Sequence, residues 1–286
     1  MVYLFLSILF NTLPFVLFKL FAKYDIDVLQ ALVVNYLTAF LVGLLFLEES
    51  TTIYEVGNQS WLIGSILLGI VFIVNFYFTT LASQLNGLSV ATVASKMSVI
   101  IPVGLGVFIY NEHLSPLKII GIAIALLAVY FTSMKEASIS KKCNFLLYPI
   151  LVFFGAGIID SSLKYLQTFY LPTNRIQLFS TVTFLFAFVV GILALLYKSI
   201  KGEIAFKGKN IIGGIILGVP NYFALYFLVK MLEAKAFQSA TLFTIHNIAI
   251  VIVSTFVGIL FFKETISKRN AFGIGLALFA LFLVTY

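Results

Sequence analysis

The sequence predicts an all-α polytopic membrane protein, and three observations support that prediction. Of its 286 residues, 62% are hydrophobic and only 10% are charged, whereas soluble proteins carry about 25% charged residues. The apolar residues fall into runs of about 20, the length that crosses a bilayer core as a helix. Finally, residues 112–128 (EHLSPLKIIGIAIALLA) closely resemble residues 264–280 (ETISKRNAFGIGLALFA).

The apolar runs define about ten transmembrane segments. The breaks between them are short and hold most of the polar residues, so no soluble domain is expected. We number the breaks as loops one to nine in chain order. The predicted segments are 2–21, 29–47, 60–82, 88–109, 116–134, 145–168, 175–197, 210–232, 237–261 and 268–286.

The repeat divides the chain into two halves of five segments, residues 1–137 and 144–286. Glu112 aligns with Glu264, and Lys19 aligns with Lys164 at a slightly different shift. Because five is odd, the second half enters the membrane from the opposite side, so the repeats are inverted. Two inverted repeats around a central cavity are typical of secondary transporters with a substrate site between the halves.

The repeated motifs resemble a known family. The Glu-x-x-Ser turn before a Gly/Ala-rich helix occurs twice, starting at Glu112 and Glu264, and Lys19 and Lys164 fit the family's first-helix pattern. The chain resembles EamA-type ten-helix transporters of the drug/metabolite transporter superfamily. The resemblance implies transport of a small organic solute: an amino acid, a related metabolite or a drug-like compound.

Lys96 and His246 are the most informative polar residues, because each lies inside an apolar segment, the fourth and the ninth. An ionisable group in the bilayer is costly unless it faces the bundle interior, water or a partner. We predict that both line one central cavity and bind an electronegative group of the substrate. The alternative is that Lys96 extends to the interface and His246 bonds backbone carbonyls. Other substrate-binding candidates are Asn221, Tyr222 and Asn247.

Asp160 and Lys164 are four residues apart and share a helix face, so they can pair. The pair is either linked to substrate or proton binding or is a structural salt bridge. Asp160 could also reach across the bundle to Lys96, and a site with both charges would favour zwitterions such as amino acids. Lys19 has no such neighbour on its own helix, and we expect it to extend to the interface.

Structural roles are expected for several other polar and special residues. Ser115 and Ser267 are predicted N-caps, and Glu112 and Glu264 are assigned to the turns that precede them. The Gly/Ala faces of segments five and ten are predicted to pack within the bundle. Three prolines either kink a segment or expose a carbonyl to substrate: Pro14, Pro102 and Pro220.

Catalysis is not expected, because the sequence lacks a His-x-x-x-His motif, paired acids and more than one cysteine. No cofactor, metal or nucleic-acid partner is predicted. An intramembrane enzyme and a channel or scaffold remain the alternative classes. Without an ATP-binding motif, energy must come from a gradient, so a proton or ion is a candidate coupling partner beside the small-molecule substrate and the lipid bilayer.

Topology is predicted from the lysines and arginines, which concentrate in the odd-numbered loops. The positive-inside rule then places those loops in the cytoplasm and both termini outside. EamA-type proteins usually have both termini inside, so the side of the termini stays open. The expected location is a prokaryotic plasma (inner) membrane, with multiple passes.

Overall fold

The computed structural model describes residues 2–47, 53–110, 115–133, 146–172, 175–202, 207–233 and 239–285. Within these ranges the secondary structure is helical and contains no strand. A short 3-10 helix, Ile53–Asn58, precedes the third α-helix. The α-helices are α1 Val2–Lys23, α2 Val28–Leu45, α3 Leu62–Leu85, α4 Leu88–Met97, α5 Ile100–Tyr110, α6 Pro116–Ser133, α7 Leu147–Phe169, α8 Ile176–Ile200, α9 Gly208–Glu233, α10 Ser239–Phe262 and α11 Lys268–Thr285.

The predicted polytopic fold is confirmed. Among the described residues, 8 helical stretches are long and apolar enough to cross a membrane, and Pro116–Thr132 is a shorter apolar helix. α11 occupies the place of the tenth predicted segment. Helix ends differ from the predicted boundaries by a few residues, because apolar length sets where a span lies but not where its last turn ends.

Span four departs from the prediction of one continuous segment. It consists of α4 and α5, separated at Ser98 and Val99. Pro102 explains the break, because proline has no N–H and its ring clashes with the carbonyl four residues earlier, that of Ser98. The N–H of Ile101 bonds the Ser98 carbonyl instead, at 2.9 Å. Pro14 and Pro220, in contrast, lie inside continuous helices.

The two halves pack as an approximate two-fold pair. α1 packs against α9 as α7 packs against α3, and α2 contacts α9 as α8 contacts α3. α1 meets α10 as α7 meets α4, while three pairs of equivalent helices form the contacts on the axis itself: α6 with α11, α2 with α8, and α4 with α10. Exchanging the halves therefore maps these contacts onto one another. The boundary between the repeats, predicted near residues 137–144, lies outside the described residues.

The predicted caps and small-residue faces hold two of these helices in place. Ser115 Oγ accepts the N–H of Lys118 at 3.3 Å, and Ser267 Oγ accepts that of Asn270 at 3.2 Å. α6 and α11 pack closely against each other through alanines that are fully buried. Those alanines are Ala125, Ala128, Ala277 and Ala280. Glu112, assigned to the turn before α6, lies outside the described residues.

Loops one and seven meet on one face of the bundle. Lys209 Nζ lies 2.8 Å from Asp25 Oδ2, and Asn210 Oδ1 accepts the N–H of Asp27 at 3.0 Å. Asp25 is exposed, and its hydrogen bond to Lys209, with the charge of that lysine, lowers the pKa of its carboxyl below the usual value. Odd-numbered loops thus share a face, which we call the odd-loop face, as alternate crossing by successive spans requires.

Candidate functional site

Lys96 lies about halfway along span four, Leu88–Gly106, two residues before the break in that span. It is eight residues into α4, which at 1.5 Å per residue places it about 12 Å from the start of that helix. The bilayer core is about 30 Å thick. Span four is also the most buried of the candidate spans: 61% of an 18-residue stretch of it is buried inside the bundle. Lys96 therefore lies inside the bundle, on an interrupted helix.

Asp160 faces the interior of the bundle from α7. The lipid-facing side of α7 is marked by Phe154 and Ile158, which are 56% and 50% exposed. Asp160 is two residues beyond Ile158, which turns it about 200° around the helix axis. Part of the residue is nevertheless exposed. The hydroxyl of Ser98, in the break of span four, donates to Asp160 Oδ2 at 3.5 Å.

The positive charge of Lys96 interacts electrostatically with Asp160. The two side chains interact electrostatically across the bundle, and Lys96 also acts on His246. No ion pair shorter than 4.0 Å joins Lys96 Nζ to the Asp160 carboxylate. Lys164, four residues after Asp160 on α7, has an interaction of its own, and its i, i+4 pairing with Asp160 stays a prediction. A cation and an anion thus interact inside the bundle while their charged atoms lie more than 4.0 Å apart.

His246 forms a contact that sequence analysis missed. Its Nε2 lies 2.9 Å from Ser7 Oγ on α1, and only 2% of the residue is exposed. Within the described part of the chain, the buried Nδ1 has no hydrogen-bond partner. A catalytic serine needs a histidine oriented by an acid at that nitrogen, and Ser7 is fully buried. The pair therefore joins α1 to α10 without forming a triad.

Asn221 and Tyr222 contact α2 and neighbouring aromatic residues. Asn221 Nδ2 donates to Asn35 Oδ1 at 3.2 Å, so the two amides cross-link α9 and α2. Tyr222 is buried and stacks on Tyr226, with ring centroids 6.2 Å apart. Asn247 is buried beside His246 on α10. Of the predicted set, the structure brings together Lys96, Asp160 and His246.

A second polar cluster lies at the odd-loop face. Lys19 Nζ is 2.9 Å from Glu264 Oε1, and their side chains are 20% and 12% exposed. The same Oε1 accepts the N–H of Leu88 at 2.8 Å, which caps α4. The sequence did not predict this partner of Lys19, which comes from loop nine. Glu264 has the structural role that was predicted for its turn.

A cavity of about 350 Å³ adjoins this ion pair. Its walls come from the end of α1, the α3–α4 turn, the end of α6 and the α10–α11 connection. The polar residues that line it include Lys19, Gln84, Ser89, Glu264 and Asn270. Buried apolar residues of α4, including Ala91, Val93 and Ala94, lie between this end of α4 and Lys96. The cavity is thus distinct from the Lys96 cluster.

Comparison with known proteins agrees with the fold and its motifs. Residues 1–134 match the EamA-like transporter family. An uncharacterized protein of Haemophilus influenzae is 29% identical over 290 residues, covering 98% of this chain and 96% of the relative. One solved crystal structure superposes with a TM-score of 0.57 at 16% identity, over 97% of this chain and 96% of that chain. Residues 1–134, which span the first repeat, are therefore similar to a family of membrane transporters within the drug/metabolite transporter superfamily, in agreement with the resemblance of the repeated motifs.

Proposed function

We propose that this protein is a secondary transporter that moves a small organic solute by alternating access, with the substrate bound between Lys96 and Asp160. The observation that carries the proposal is the arrangement of these two side chains. They come from different halves, interact electrostatically inside the bundle, and form no direct ion pair. Inverted repeats place transporter sites at the repeat interface.

The opposite charges favour a zwitterionic substrate such as an amino acid. Its carboxylate would bind the Lys96 ammonium, and its ammonium would bind the Asp160 carboxylate. A ligand that neutralises both groups offsets the cost of holding each charge away from water. A simple anion would satisfy only Lys96, and a simple cation only Asp160, so each would leave one uncompensated charge.

The break in span four supports substrate binding at the same level. Where α4 ends, its last carbonyls lack the partners of a continuing helix, whereas the N–H groups of Ile101 and Val103 at the start of α5 bond the carbonyls of Ser98 and Val99. Transporters use such interrupted helices to present backbone groups to substrates and ions. Ser98 lies in the break, and its hydroxyl reaches both Ser95 O and Asp160. The break would thus add neutral donors and acceptors to the two charges.

Alternating access requires movement at the odd-loop face. There the route from Lys96 is blocked by buried side chains of α4 and by the Lys19–Glu264 ion pair. We propose that the opposite halves rock about the site so that these contacts separate in the other state. A proton or ion gradient would supply the energy. The bacterial relative supports a plasma (inner) membrane location.

The test begins by comparing metabolites inside and outside cells with and without the gene, which identifies a transported compound. Transport of that compound is then measured with wild-type protein, Lys96→Ala and Lys96→Arg. We expect Lys96→Ala to abolish transport at normal membrane abundance, and Lys96→Arg to restore little because a guanidinium differs in shape from an ammonium. Lys201→Gln, which removes an exposed lysine, is the matched control. Undiminished transport by Lys96→Ala would refute the assigned site.

A further inference from the structure

We propose that the cavity at the odd-loop face is a second binding site for amino-acid-like zwitterions, formed by Glu264 and Lys19. This inference rests on the proposed transport function and adds a binding step at one end of the pathway. It depends on three features of the cavity: the uneven use of the two Glu264 oxygens, a buried hydroxyl without a partner, and a suitable volume.

Glu264 uses only one of its two carboxylate oxygens in the described structure. Oε1 contacts both Lys19 Nζ, at 2.9 Å, and the N–H of Leu88, at 2.8 Å. Among the described residues, Oε2 has no hydrogen-bond partner. It lies close to the backbone of α10, because a Cβ added at Gly258 would be 2.7 Å from it. A carboxylate can accept about four hydrogen bonds, so Glu264 retains acceptors for an ammonium group.

Ser89 supplies an unsatisfied group in the same wall. It is only 6% exposed, its Oγ has no hydrogen-bond partner within the described residues, and it lines the cavity. The Cβ position at Gly258 is 3.5 Å from Ser89 Oγ and 2.7 Å from Glu264 Oε2, so both oxygens adjoin the same glycine of α10. A buried polar group without a partner costs about 1–3 kcal/mol, a cost that a ligand hydrogen bond would relieve.

Lys19 provides the complementary charge. Its ammonium has three donors, and the structure uses one of them for Glu264 Oε1. A zwitterion bound beside the pair would place its ammonium at Glu264 Oε2 and Ser89 Oγ, and its carboxylate at Lys19. Each charge of the ligand, of Lys19 and of Glu264 would then have a partner of opposite sign. Because the ligand competes for the same groups, it would also weaken the Lys19–Glu264 contact that closes this face.

The volume agrees with a small polar ligand. Ligand pockets usually enclose about 300–1,000 Å³, and this cavity measures about 350 Å³. It is therefore at the lower end of that range, which suits a single amino acid rather than a lipid or a large drug. The helix N-terminus of α4 adds little attraction for the ligand carboxylate, because Glu264 already caps it.

The test uses the full chain, purified in lipid nanodiscs, and the twenty proteinogenic amino acids as probes. Binding is measured as ligand-dependent thermal stabilisation and then titrated. Lys96→Ala removes the central site. We expect at least one amino acid to bind Lys96→Ala protein, and adding Glu264→Gln to weaken that binding at least tenfold. Glutamine keeps an acceptor for the Leu88 N–H, and Asp25→Asn is the control for a lost carboxylate on the same face.

The outcomes separate this inference from the transport proposal. If Lys96→Ala alone abolishes all binding, the central site stands and the second site is refuted. If binding to Lys96→Ala is unaffected by Glu264→Gln and by Lys19→Gln, the second ligand lies elsewhere and the inference is again refuted. If no amino acid binds wild-type protein, zwitterion recognition fails at both sites. If N-acetyl and amide derivatives bind more weakly than the amino acid itself, the site recognises both the ammonium and the carboxylate.

Discussion

A double-mutant cycle on Lys96 and Asp160 distinguishes a substrate site from a structural ion pair. The changes are Lys96→Met, Asp160→Asn and the two together, which remove each charge with little change in size. Two unit charges 4 Å apart interact by about 4 kcal/mol at an effective dielectric constant of 20. Here the separation exceeds 4.0 Å and Asp160 is exposed. We therefore expect a coupling of about 1–2 kcal/mol.

The cycle is measured by unfolding the protein in detergent and by transport of the identified solute. Each single variant should be less stable, and the double variant should recover part of the loss because neither charge is left alone. Transport should stay abolished in the double variant, since its substrate has lost both partners. A double variant that is stable and transports normally would show that the pair is only structural. A coupling indistinguishable from zero would refute the interaction itself.

Three further predictions address packing, pH dependence and topology. Gly218→Ala would place a Cβ 2.5 Å from Thr38 Cβ, so it should lower unfolding stability by about 1–3 kcal/mol; Gly275→Ala, with nothing within 4 Å, should not. Because the pKa of Asp25 is lowered, its pair with Lys209 stabilises the fold at pH values above the ordinary carboxyl pKa of 3.8. This stability is lost as the pH falls through the lower pKa of the folded state. Asp25→Asn should remove this pH dependence, and an Asp25→Asn profile identical to that of the wild-type protein would contradict the prediction. A fluorescent protein active only in the cytoplasm should be dark when fused to the C-terminus, and bright cells would reverse the charge-based orientation.

Much of the fold was predictable because the bilayer imposes a fixed length on each helix. The break in span four was harder to predict. Pro14, Pro102 and Pro220 all lie within apolar segments, and only Pro102 separates two helices. At that position the carbonyl freed by the proline belongs to Ser98, whose hydroxyl also reaches Asp160. A tertiary contact of this kind is not visible in the local sequence.

The charged residues at the centre were predictable because a charge in an apolar segment is costly and must face a partner, water or the bundle interior. Their partners were not predictable in the same way. Lys19 and Glu264 are far apart in sequence, and only the folded bundle brings them within 2.9 Å. Ser7 carries no sequence signal at all, since buried serines are common in membrane helices, yet it bonds His246.

The polar centre is asymmetric although the helices around it are nearly symmetric. At the shift that aligns Lys19 with Lys164, Asp160 corresponds to Phe15, so the first half has no matching acid on α1. The cation of the proposed site thus comes from the first half and the anion from the second. A zwitterion bound between Lys96 and Asp160 would connect the two halves through its own charges. Its binding free energy would then depend on how the halves are placed, which is the condition for a ligand to shift a conformational equilibrium.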